Sequence, residues 1–137
     1  MKIPFINRIT GIFGVEDSVL HGQFSEIVIC NATKEICLRC DHNTDELLLS
    51  SGSKKKRHKL VRILSGSFRV EWIWTMTNQQ GYCDGFRIQL GVKQQSHVFE
   101  FISIGSCIDI YKALKSPNKT VHRTIHSAAL SAESKLD

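Results

Sequence analysis

The chain predicts an α+β domain in which strand predominates: one antiparallel sheet of about six to eight strands, strongly curved or closed into a small barrel, with one short helix. Three observations predict it. Apolar residues recur at every second position in several runs, most clearly Phe86, Ile88 and Leu90, which is the period of a strand with one buried face. The runs are joined by short polar or glycine-bearing stretches, whereas parallel pairing needs long crossovers. A length of 137 residues, 42% hydrophobic and 23% charged, suits one ordinary globular domain with a sizeable core.

The elements follow in order. Apolar residues at Ile3, Phe5, Ile9 and Ile12 predict a first strand over 3–13, with a turn over 14–18 and a connector over 19–22. Phe24–Cys30 and Glu35–Cys40 are rich in β-formers and flank the polar Asn31–Lys34, a hairpin signal. Asp41–Asp45 breaks the chain again, and the three leucines of Glu46–Ser50 predict a short strand. Ser51–Ser53 and the basic run after it form an exposed loop. Leu60, Val61 and Leu64, at i, i+1 and i+4, predict the one helix over His58–Leu64, with Gly66 placed to end it. Phe68–Met76, Cys83–Val92, His97–Ile104 and Cys107–Leu114 complete the strands. Residues 1–116 form a single β-rich domain, and 117–137 a C-terminal tail, helical or disordered, whose membership of the native domain the sequence leaves open.

Composition limits the function classes. No apolar run approaches the ~20 residues that span a bilayer. The N-terminal residues lack the apolar stretch and small-residue cleavage site of a signal peptide, so the expected location is cytoplasmic. Five cysteines, an odd number, fit reduced thiols. The net charge of +5 is mild and locally concentrated in residues 54–59.

The chemistry concentrates in residues 72–86. Trp72 and Trp74 stand two apart, so their rings share one strand face. The loop beyond them carries Asn78, Gln80, Tyr82 and Asp84. An apolar wall with a few hydrogen-bonding groups and one carboxylate suits a pocket for a protein segment or small ligand. The bland alternative puts both indoles in the core, Asn78 and Asp84 on loop backbone groups, and Gly81 and Gly85 at positive φ. The two readings are compatible, because a stiff loop on a strand scaffold is how sites are built. Truncating Trp74 separates them: a core indole costs about 3–5 kcal/mol, a pocket-lining one much less.

Other constellations are weaker. Cys37 and Cys40 have C-x-x-C spacing, but on a strand they point to opposite faces, and no second pair completes four ligands. No metal and no cofactor is expected. Lys54, Lys55, Lys56, Arg57 and Lys59 offer a nucleic-acid footprint, or equally a solvated loop or a contact for an acidic protein. Asp45 or Asp84 with a histidine would make a small hydrolase or isomerase, although spacing selects no pair. His122 and His126, at i and i+4, would face one another only on a helix. No P-loop, Rossmann or nucleophile-elbow pattern occurs. The favoured class is therefore a non-enzymatic binding module, with self-association as a homodimer through open strand edges included, and no membrane partner.

Two segments, Asp41-His-Asn-Thr44-Asp45-Glu46-Leu47 and Trp72 through Phe86, resemble a family of small bacterial proteins of unknown function, some of them in mobile gene cassettes. The resemblance covers about residues 8–114. It implies a small bacterial cytoplasmic domain and assigns neither an activity nor a site residue.

Overall fold

The computed structural model describes residues 7–19, 23–53, 60–113 and 124–127. Nine strands occupy them: β1 (Arg8–Glu16), β2 (Phe24–Cys30), β3 (Lys34–Cys40), β4 (Leu47–Ser53), β5 (Leu60–Thr77), β6 (Cys83–Val92), β7 (Gln95–Ile104), β8 (Cys107–Ala113) and β9 (Thr124–Ser127). Every ladder is antiparallel. The order is β1-β5-β6-β7-β8-β2-β3-β4, and β1 pairs back onto β2. Six strands therefore close on themselves as a barrel, and β3–β4 continues from the far side of β2. The closure between β8 and β2 rests on one pair, Phe24 with Ile108.

Alternation places the core. Ile27 and Ile29 of β2, Phe86, Ile88 and Leu90 of β6, and Phe99 and Phe101 of β7 join one interior cluster with Ile9, Ile12, Leu38 and Ile73. Burying a Phe or Ile side chain there contributes about 1.5–3 kcal/mol. The β2–β3 hairpin is closed as its polar loop predicts: the Asn31 N–H donates to Lys34 O at 3.0 Å, and Asn31 Oδ1 accepts the N–H of Thr33 at 2.9 Å.

The expected helix is corrected. Residues 60–64 are the first part of β5, and no helix occurs among the described residues. Val61 pairs with Gly14 and Leu64 with Ile12 of β1. The i, i+1, i+4 pattern is ambiguous over so few residues, and β-branched Val61 and Ile63 favour a strand once a partner edge is present. Gly66 does not end a helix; it lies where β5 carries one residue more than β1 between the Ile9–Phe68 and Gly11–Ser65 pairs. The turn expected at 14–18 is corrected too, since Gly14–Glu16 extend β1, and Ser51–Ser53, expected in a loop, are the end of β4 paired with β3. Of the tail, residues 124–127 form β9; the rest lies outside the described residues, as do residues 3–6 of the expected first strand.

The long β5 organises everything around the indoles. Its residues 60–69 pair with β1, and its residues 69–77 pair with β6. Past the described β1 ladder, which ends at the Arg8–Arg69 pair, β9 pairs with the same edge of β5 at Trp74–Thr77.

Candidate functional site

A bulge decides which way the indoles face. Val70 pairs with Leu90 and Trp72 with Gln89, so Glu71 is an extra residue on β5. The side-chain phase shifts there: Val70 and Ile73 both enter the core, while Trp72 and Trp74 stand outward and half-buried. Their ring centroids are 6.1 Å apart with planes at 48°, a tilted pair. Neither indole belongs to the interior cluster.

Network contacts hold the bulge. Glu71 accepts Ser96 Oγ at 2.7 Å, Gln89 Nε2 at 3.1 Å and Arg69 Nη2 at 3.4 Å. Burial alone would raise the Glu71 carboxyl, but these donors outweigh it and hold the group below its ordinary value. Gly91 leaves room for this network: a Cβ there would come within 2.5 Å of Glu71 Oε2.

Registers across β5, β6 and β7 set Trp74 opposite Arg87, and Arg87 opposite Glu100. Arg87 lies on the indole face yet is 1% exposed. Its Nε donates to Glu100 Oε2 at 2.8 Å, and its Nη2 reaches the same oxygen. Its buried Nη1 finds no acceptor among the described residues. A buried N–H group left without an acceptor carries a desolvation cost.

The 78–82 turn is built by its own side chain. Asn78 Oδ1 accepts the N–H of Gln80 at 2.9 Å and of Tyr82 at 3.1 Å, and the Gly81 N–H donates to Asn78 O at 3.0 Å. Gly81 has φ +88°, which suits a residue without Cβ; Gly85 does not adopt a positive φ. The carbonyl oxygen of Asn78 is thus used internally. Gln80 is exposed, Tyr82 is 39% exposed, and Asp84 is buried. The six residues singled out in the sequence therefore divide: Trp72 and Trp74 stand on the outward face, Asn78 to Tyr82 form its rim turn, and Asp84 is buried at the start of β6.

The remaining expectations fall elsewhere. Lys54, Lys55, Lys56, Arg57 and Lys59 lie outside the described residues. Asp45 Oδ1 accepts the Ser106 N–H at 2.7 Å, a contact that ties the β3–β4 connection to the β7–β8 turn. All five cysteines are thiols, and no group of three or more His, Cys, Asp or Glu is placed to hold a metal among the described residues. Cys40 joins the interior cluster while Cys37 Sγ lies 3.8 Å from Glu35 Oε1, in keeping with the opposite parity of the two positions.

One cleft lies outside the residues expected from sequence. It encloses about 440 Å³ between β2, β3 and the 41–43 connection, with Glu26, Arg39, Cys40, Asp41, His42 and Leu48 among its lining. Glu26 and Arg39 are directly cross-strand, a pairing that only the β2–β3 register reveals. Burial pushes the Cys40 thiol up, and Ser103 Oγ lies 2.9 Å from its sulfur, so this group is a poor nucleophile.

A family model, described as a family of unknown function (DUF6334), matches residues 2–116. The chain belongs to that family. The match takes in the indole face, the 78–82 turn and the 440 Å³ cleft, and it stops just after β8. No curated protein and no solved structure matches the chain significantly. No helix among the described residues is long and apolar enough to cross a membrane.

Proposed function

We propose that the chain is a non-enzymatic binding module whose outward β5–β7 face and adjoining β5 edge grip an extended segment of a protein partner. The observation that carries this reading is the tilted indole pair standing outward beside the β5 edge at Trp74–Thr77, where the four-residue β9 now pairs and a partner strand would take its place. Strand addition supplies affinity through main-chain hydrogen bonds, and neighbouring side chains supply selectivity. Trp72 and Trp74 offer rigid apolar area at low entropic cost. The Asn78–Tyr82 turn forms a rim.

Selection of a displayed random-peptide library on the full chain tests this. The reading expects enriched peptides that add as strands and lose about tenfold or more in affinity on Trp72→Ala or Trp74→Ala. Failure to enrich any peptide, or enriched peptides indifferent to both substitutions, would overturn it.

A further inference from the structure

Three strands keep an edge that is wholly or mostly unpaired among the described residues. There β9 pairs only with β5 and β4 only with β3, while β8 has, beyond β7, only the Phe24–Ile108 pair. An open edge is a row of N–H and C=O groups ready to take another strand, and proteins blunt it by shortness, charge, proline or a bulge. β9 is four residues long, and β8 carries Asp109 and Lys112. β4, Leu47-Leu-Leu-Ser-Ser-Gly-Ser53, uses none of these devices. It is seven residues long, bears no charge and no proline, and follows β3 from the Leu47–Cys40 pair to the Ser53–Lys34 pair with no shift of register.

The edge is also within reach. Leu48 is 41% exposed, and Ser50, Ser51 and Gly52 are exposed as well. Successive residues of a strand point to opposite faces, so beyond Leu49 both faces of β4 meet solvent.

The order of residues along β4 says what fits it. Leucines fill its first half, serine and glycine its second. Two copies paired antiparallel about a twofold axis at Ser50 set Leu48 of each opposite Gly52 of the other, and Leu49 opposite Ser51. Directly opposed Cβ atoms lie about 4.5–5.5 Å apart, so each leucine meets a small residue in place of another leucine. Gly52 has the room, since a Cβ there would meet nothing within 4 Å. No like charges come together, because the strand has none. A contact of this kind uses the same patch on both copies and closes at two.

We infer that β4 is a homodimerisation edge, which pairs antiparallel with β4 of a second copy about Ser50 and joins the two sheets. The surface is separate from the proposed β5–β7 binding face.

Size-exclusion chromatography with light scattering on the full chain, over a dilution series, tests this beside two variants. The unmodified chain is expected at twice the mass of one chain, falling toward single mass on dilution. Ser50→Lys sets two ammonium groups face to face on the axis and is expected at single mass, with its far-UV circular dichroism unchanged. If Ser50→Lys does not fold, Ser50→Cys decides: treated with oxidised glutathione, it should run as a covalent dimer under denaturing, non-reducing conditions, and the unmodified chain should not. Single mass for the unmodified chain at every concentration overturns the inference. So does a dimer that a folded Ser50→Lys leaves intact, or a Ser50→Cys chain that does not cross-link. None of these readouts involves Trp72 or Trp74, so a dimer that selects no peptide would sink the proposed function and leave this inference standing.

Discussion

The β5–β6 ladder has two faces built on different terms. Inward, Ile73, Phe86, Ile88 and Leu90 are 0–1% exposed and interlock with residues from β1, β2, β3 and β7. Outward, the same two strands carry an indole pair, an amide and a buried guanidinium whose charge is met by one carboxylate. The first face is apolar and complete in itself. The second mixes wide aromatic surface with a donor that finds no acceptor among the described residues. The difference teaches that burial alone does not define the core here: Arg87 is as buried as Ile88, yet it answers to electrostatics and Ile88 to packing.

Substitutions sharpen or break this contrast. The largest effect belongs to the inward face: Phe86→Ala should cost about 3–5 kcal/mol, measured by urea denaturation. Glu100→Ala should come next, at about 3 kcal/mol, because it leaves the Arg87 guanidinium buried without its carboxylate. Replacing both partners together, Arg87→Met with Glu100→Leu, should recover most of that loss. Equal losses for the single and double changes would show that the pair acts through shape and not charge. Trp74→Ala should cost about 1–2 kcal/mol, since the ring is only partly removed from water. Gly91→Ala should cost about 1 kcal/mol, because the side chains it meets are flexible at their tips but held by the Glu71 network.

The smallest effect is one of pH. The folded Glu71 carboxyl titrates below its ordinary 4.5, so its contribution is fully present above about pH 4.5 and is lost as pH falls through the folded value. Glu71→Gln should flatten that part of the acid limb in a pH series of denaturation midpoints. An unchanged acid limb would mean that the donors around Glu71 do not favour its ionised form.

Much of the framework was legible in the chain. The strand β6 matches the run expected from Phe86, Ile88 and Leu90, and the Asn31 loop closes its hairpin as read. Residues 60–64 misled because a three-point apolar pattern fits either period, and the deciding partner, β1, is more than forty residues away in sequence. At the site, the parity of Trp72 and Trp74 was enough to put them on one face. Which face was not readable, since that depends on the extra residue at Glu71, and a bulge leaves no alternation signature. Arg87 and Glu100 were missed because nothing local marks them; they meet only through the β6–β7 register. The cross-strand Glu26 and Arg39 escaped notice for the same reason.

The central claim is that the indoles serve a surface and not the core. Urea denaturation of Trp72→Ala/Trp74→Ala beside Phe86→Ala, followed by circular dichroism, tests it most directly. The account predicts that the double indole variant loses clearly less stability than Phe86→Ala while it no longer binds the peptides selected on the unmodified chain. A loss equal to or larger than that of Phe86→Ala would contradict it.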